Sequence, residues 1–313
     1  MCIRDSARKE DDLPEILSGF LDGKTTGAPL CAVIRNTNTR SADYSALFDK
    51  PRPSHADYTA RLRYGEATDL RGGGHFSGRL TAPLCFAGAV CRQILARRRI
   101  VIGAHIASIG SVKDAPFDPV QPGPELLERL SRSSFALIDP SVEEYMRREV
   151  EAARMEEDSV GGIIECAALG LPGGLGSPMF GGVENVLSSL LFGIPAVRGL
   201  EFGTGFAAAE LRGSEHNDAF YYDDDGSVRT RTNRHGGAIG GITSGMPLIF
   251  RLAFKPTPSI SRPQETVNLH AHTGDTLRIT GRHDPCIVPR AVPVVEAVTA
   301  VALINLMAEG GKL

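Results

Sequence analysis

Apolar residues recur along this chain at two different spacings, and the switches between them predict a mixed α and β fold. The runs "EILSGFLDG" (15–23) and "APLCAVIRN" (28–36) flank "GKTTG", a pattern that predicts two strands joined as a hairpin. "HADYTARLRYG" (55–65) predicts a short helix. In "APLCFAGAVCRQILARRR" (82–99) small and apolar residues lie nearly all round, which predicts a buried helix with Pro83 in its first turn. "IVIGAHIASIG" (100–110) follows as a strand, whereas residues 115–140 are rich in proline and charge and predict a surface excursion. "SVEEYMRREVEAARMEED" (141–158) predicts a helix opened by a capping box from Ser141 to Glu144.

The second half repeats these signals. "SVGGIIECAALGLPGGLGSPMF" (159–180) predicts a strand that runs into a glycine-rich loop, then "GVENVLSSLLF" a helix and "AVRGLEFGTGF" a strand. Residues 213–237 are polar and carry the turn "YYDDDGS", which predicts a mobile flap. "MPLIFRLAFKPTPS" and "DTLRITG" predict strands, and "VPVVEAVTAVALINLMAE" an apolar closing helix. No repeat, no linker-like shift in composition and no strand–helix–strand alternation interrupts this order. The expectation is one α+β domain, with helices packed between antiparallel sheets.

Composition narrows the class. The 313 residues are 42% apolar with a net charge of −3, so nothing in the total calls for nucleic acid or an anionic membrane. No run of about twenty apolar residues stands out, and the first twelve residues hold no signal-like apolar segment. The six cysteines are scattered without a CxxC pair, and Cys85, Cys91 and Cys166 sit in apolar runs as buried free thiols do. That usage fits a reducing compartment, the cytoplasm. Of the 34 basic residues 28 are arginines, which suits carboxylate and phosphate recognition and equally a GC-rich genome.

Position bears on that choice. Five glycine-rich loops, "RGGGHFSGR", "DSVGG", "LPGGLGSP", "GTGF" and "HGGAIGGITSG", are more than bends require and predict a shaped binding surface. None has the GxxxxGK[ST] phosphate-loop pattern, and no convincing helix follows "GAIGGITSG" as a dinucleotide fingerprint needs. Arginine and histidine gather beside them: Arg52, His55 and Asp57; Arg71, His75 and Arg79; Arg282, His283 and Asp284. Converged, these would make a cationic pocket able to move protons at a leaving phosphate. Taken singly, each histidine is better read as a satisfied structural imidazole. Lys255, Thr257 and Ser259 at a strand end could hold a phosphate monoester or be an ordinary exposed terminus. Zinc-ligand spacing and a GxSxG elbow are missing, which disfavours a metal site and a serine hydrolase. The residues alone reach an anion-handling enzyme.

Together, "RPSHADYTARLRYG", "RGGGHFSGRLTA", "DSVGG", "LPGGLGSPMF", "IPAVRGLEFGTGF", "GSEHND", "GGAIGGITSG", "FKPTPSI" and "GRHDPCIVPRAVPVVEA" resemble, in order, the blocks of the chorismate synthase family. The resemblance implies a sandwich of helices between antiparallel sheets, assembled as a homotetramer. It implies a lyase that converts 5-enolpyruvylshikimate 3-phosphate to chorismate by 1,4-anti elimination of phosphate, closing the shikimate pathway that feeds aromatic amino-acid biosynthesis. Reduced FMN is required without net redox change, and NADPH serves only indirectly as its reductant. By motif, His55 matches the histidine that protonates the flavin at its N1/O2 edge. Asp284 matches the carboxylate that works with flavin N5 to remove the C6 proton. Arg52, Arg79 and Arg282 match arginines that clamp the substrate, and Arg282 also lies against FMN. His75, Phe76, Ser77, Pro195, Ala196, Gly240, Lys255, Pro256, Thr257, Pro258 and Ser259 match flavin-binding positions.

Two departures qualify the match. His75 and Phe76 stand where the family has Arg–Ser, and Leu80 replaces an acid. The family's opening strand and GESHG block, whose histidine protonates the leaving phosphate, have no counterpart. Residues 1–6 match nothing and read as a non-native start, with one domain over 7–313 lacking that segment. The expectation is therefore a chorismate synthase, active in a full-length parent or crippled as it stands, with a catalytically impaired FMN-binding, oligomerising fragment as the competing reading and a phosphate-ester hydrolase as a distant third. No reductase domain is visible, and a monofunctional enzyme is expected.

Overall fold

The computed structural model describes residues 12–36, 49–67, 71–279 and 284–313. Strands β1 (Pro14–Ser18), β2 (Phe20–Leu21), β3 (Lys24–Thr25) and β4 (Cys31–Ile34) form the expected hairpin, β1 pairing with β4 and β2 with β3. The tip is Asp22–Gly23, both left-handed, as the right-handed twist of paired strands favours. Helix α1 (Asp57–Tyr64) and α2 (Thr81–Arg97) precede β5 (Val101–Ile109) and β6 (Val112–Lys113). Helices α3 (Pro124–Arg132) and α4 (Glu143–Met155) lead to β7 (Gly162–Leu169), α5 (Val183–Leu191) and β8 (Val197–Phe202). The 213–237 segment holds α6 (Gly213–His216) and a ribbon of β9 (Phe220–Tyr222) and β10 (Val228–Thr230). Then come β11 (Ala238–Ile239), β12 (Ile242–Thr243), β13 (Leu248–Phe254), β14 (Gln264–Asn268), β15 (Thr273–Leu277) and α7 (Val288–Glu309).

The main sheet is antiparallel throughout, in the order β6-β5-β7-β13-β8. Strand alternation sends Ala104, Cys166 and Phe250, which are register partners, to one face, where Cys166 Sγ lies 3.9 Å from Thr299 Oγ1 of α7. On that face α7 packs against the sheet, α2 and α5, and most of the core gathers there. His105 and Glu165, one register step away, point to the opposite face. The α+β expectation holds.

Four details differ from expectation. Residues 115–140 are no mere surface excursion: Phe117, Leu127, Leu130, Phe135, Ala136 and Leu137 are buried, because α3 seals the second sheet face. The capping box at Ser141 does not form; Ser141 lies in a preceding 3₁₀ turn, and Asp139 Oδ1 accepts from its N–H at 2.9 Å. Helix α2 buries only Gly88 and Leu95 fully. A Cβ on Gly88 would stand 2.3 Å from Ala297 Cβ, so α2 meets α7 through a near-backbone contact instead of a broad apolar face. Helix α7, finally, is long and apolar enough by composition to cross a membrane. Its charged residues and Pro293 hid that run in the sequence, and 72% of the apolar stretch is buried in the fold.

The outer edge of β5 pairs with β6 only at Ser108 and Ile109. Nearer its start, side chains take over. Glu296 of α7 accepts from Ala104 N–H at 3.0 Å and from Arg92 of α2 at 2.6 Å. Arg92 donates in turn to the Ile102 carbonyl. Burial raises the Glu296 carboxyl, and its two donors oppose that rise.

Candidate functional site

The turn Arg52–His55 enters α1 and is fastened from both sides. Thr266 Oγ1 of β14 donates to the Pro51 carbonyl at 2.6 Å, and Leu269 N–H donates to that of Asp49 at 2.8 Å. Ser54 takes a left-handed conformation, φ 57°, and its carbonyl accepts from Lys255 Nζ. Asp57 follows in the first turn of α1, where a carboxylate is favoured by the exposed N–H groups.

This geometry makes a compact charged cluster. Arg52 Nε and Nη2 grip Asp57 at 2.7 and 2.8 Å, its backbone N–H adds a third bond at 3.1 Å, and Nη1 donates to Ser259 Oγ at 3.1 Å. His55 Nδ1 lies 2.6 Å from Asp57 Oδ1 and 3.0 Å from Arg52 Nη2. Burial alone would raise the Asp57 carboxyl, but bonds from Arg52 and His55 outweigh it and hold it well below the usual carboxylate range. Lys255 is held below an ordinary lysine by partial burial and then by nearby Arg198. The resemblance assigns Arg52 to the substrate, yet its side chain is only 6% exposed and all three of its nitrogens turn inward. It braces Asp57, His55 and Ser259.

The Lys255–Ser259 loop lies against this cluster. Lys255 N–H donates to the carbonyl of Ala196, a non-glycine residue with φ 72°. Left-handed backbone at such a residue is costly and concentrates at working sites. Thr257 Oγ1 is buried without a hydrogen-bond partner among the described residues. Ser159 Oγ binds the Thr257 carbonyl at 2.7 Å, and Val160 N–H binds that of Pro285 at 2.8 Å. The Lys255–Ser259 loop and the Asp284 segment therefore attach to two adjacent residues. Asp284 pairs with Arg290 of α7 at 2.5 Å and lines a pocket of about 900 Å³ between α3, α4 and the start of α7. His55 is not part of that lining.

The remaining expected residues are distributed. His75 and Phe76 are exposed at the entry to α2, where Ser77 Oγ accepts from Arg79 N–H, and Arg79 comes within 3.9 Å of Asp12. The Arg52–His55–Asp57–Ser259 cluster makes no hydrogen bond to that run among the described residues. Pro195 precedes Ala196 and is half-buried. Gly240, φ 61°, turns between β11 and β12 with open space where a Cβ would stand. Arg282 lies outside the described residues. Sequence reasoning missed Ser159, whose partner Thr257 lies 98 residues on, and Arg290, six residues beyond its partner Asp284, and it left Asp57 without a role.

Comparisons with known proteins identify the family. A family model described as chorismate synthase matches residues 3–308. A chorismate synthase of Pyrococcus abyssi is 49% identical over 298 residues, 95% of this chain and 82% of that one. One of Korarchaeum cryptofilum is 48% identical over 297 residues, 94% and 80% respectively. A crystal structure of a chorismate synthase superposes with a TM-score of 0.73 at 27% identity, covering 95% of this chain and 78% of that one. With the motif order, the antiparallel fold and relatives near half identity all in accord, this chain belongs to the chorismate synthase family.

Proposed function

We propose that this chain eliminates phosphate from 5-enolpyruvylshikimate 3-phosphate to give chorismate, with reduced FMN bound. The observation that carries the reading is the Arg52–His55–Asp57–Ser259 cluster, a buried ion pair that presents one imidazole edge. The reaction breaks the C6–H and C3–O bonds, and the ring electrons rearrange into a conjugated diene. No electron is gained or lost overall.

The residues fit the flavin. Thr257 supplies an unused buried hydroxyl, Ala196 a strained backbone turn, and Gly240 an open surface for close approach. Lys255, Pro256, Thr257, Pro258 and Ser259 would hold it, with Pro195, Ala196, Gly240, His75, Phe76 and Ser77. When bound, reduced FMN supplies an electron-rich surface beside the electron-poor allylic system. His55 holds and delivers a proton at Nε2. Asp284, steered by Arg290, accepts the C6 proton of the substrate. Arg79 and Arg282 supply positive charge toward the substrate's acids, while Arg52 fixes the histidine and Ser259. The same reading includes a cytoplasmic homotetramer whose flavin is reduced elsewhere at the expense of NADPH.

Anaerobic incubation with reduced FMN and the enolpyruvyl substrate tests this. Stoichiometric chorismate and inorganic phosphate are expected, with FMN unconsumed. Phosphate release without chorismate would overturn the reading in favour of a phosphate-ester hydrolase.

A further inference from the structure

Two contacts at His55 Nδ1 demand opposite proton placements. If Nδ1 is bare, it accepts from Arg52 Nη2 at 3.0 Å but then faces Asp57 Oδ1 at 2.6 Å with no hydrogen between two lone pairs. If Nδ1 carries the proton, it donates to that carboxylate, and Arg52 Nη2 loses nothing because it already donates to the same oxygen at 2.8 Å. A 2.6 Å approach to a carboxylate that burial removes from water needs a proton in it. Nε2 has no hydrogen-bond partner among the described residues, and His55 is 15% exposed, so one edge of the ring is anchored while the other remains accessible.

We propose that Asp57 is the positioning residue for His55: it takes the Nδ1 proton in a hydrogen bond, fixes the neutral imidazole as its Nδ1–H form, and leaves the Nε2 lone pair for proton transfer. The inference rests on the reading of His55 as the proton-handling group. Uptake of a proton at Nε2 makes an imidazolium whose charge Asp57 balances, and release from Nε2 restores the neutral ring, with no change in electrons. Arg52 keeps Asp57 ionised and in register, and Ser259 ties the pair to the loop that bears Thr257. The logic is that of an orienting carboxylate behind a catalytic histidine, where a neutral amide selects the wrong tautomer.

Nitrogen-15 spectra of the histidine-labelled chain decide the matter, with the His55 signals assigned from a His55→Gln variant. Above the imidazole titration, the native chain should show a protonated Nδ1 and a bare Nε2 at His55. Asp57→Asn, whose amide donates to Nδ1, should reverse the two. Its kcat should fall by more than about tenfold with KM and FMN affinity little changed, as for a misoriented general acid–base. A bare Nδ1 in the native chain overturns the proposal, and this measurement stands even if the variant fails to fold. A reversed tautomer with unaltered kcat overturns it too. Native chain that shows the stated tautomer yet forms no chorismate would instead overturn the reading of the reaction, leaving the placement of the proton in force.

Discussion

Thr257 carries a buried hydroxyl that meets no partner among the described residues, an arrangement that normally costs about 1–3 kcal/mol. Such a group persists where a ligand completes it. Thr257→Val should therefore leave the free chain as stable or slightly more so, while FMN binding weakens by roughly tenfold, the worth of one hydrogen bond. Denaturant melts and flavin-fluorescence titration read the two effects separately; a variant both destabilised and normal in FMN binding would make Thr257 structural. Asp284→Ala should keep FMN affinity and lower turnover by on the order of 10²-fold or more, measured under single-turnover conditions. These residues were legible because their motifs keep local order: Arg52, His55 and Asp57 share a six-residue turn. Arg52's inward orientation was not legible, because its partner Ser259 lies 207 residues away. Ser159 was hidden for the same reason, its partner Thr257 lying 98 residues on, whereas Arg290 stands six residues from Asp284 and was passed over as one arginine among 28.

At the scale of elements, long periodic runs were readable and short polar decisions were not. Helix α7 and strands β5, β7 and β13 follow from sustained apolar patterns. The β14–β15 ribbon escaped in part because Gln264–Asn268 carries a single apolar residue, Val267, and is fastened to the Arg52 turn through Thr266. The failed capping box shows a local signal losing to a neighbour: Asp139 claims the Ser141 N–H and the helix starts after a 3₁₀ turn. Gly88 shows the converse, a single residue that sets the spacing of two helices. Gly88→Ala adds a methyl where Ala297 Cβ already stands 2.3 Å away, and neither helix backbone can yield freely. The gain in helix propensity, about 1 kcal/mol, is smaller than the overpacking cost of about 1–3 kcal/mol or more. Net destabilisation is expected in urea melts, and Ala297→Gly in the same chain should restore part of it. An unchanged midpoint for Gly88→Ala would show that α2 and α7 can slide apart.

For the molecule as a whole, stability is tied to one buried histidine on the sheet face away from α7. His105 is fully buried between Asp114 at 2.9 Å and Glu165 at 3.0 Å, with Phe117 edge-on to its ring. The same carboxylates hold the covering segment: Asp114 accepts from Ile138 and Asp139 N–H, and Glu165 from Phe117 N–H. Burial alone would lower the imidazole, but the hydrogen bonds it makes to both carboxylates raise it above its ordinary value. A histidine raised in the folded state contributes stability that is complete below the ordinary value of about 6.5 and is lost as pH rises through the folded one. Asp57 and Asp114 act in the other direction, since their depressed carboxyls contribute above about 3.9 and lose it on acidification. The chain should therefore be most stable between these limits and soften on the alkaline side. Urea melts of the native chain should show a lower midpoint at pH 9 than at pH 6. His105→Gln removes the titrating group and leaves two buried carboxylates without a cation, at a cost of about 3–5 kcal/mol at pH 6. Its midpoint should then be nearly flat between pH 6 and 9. An alkaline decline of equal size in both proteins would assign the effect elsewhere and leave His105 as packing alone.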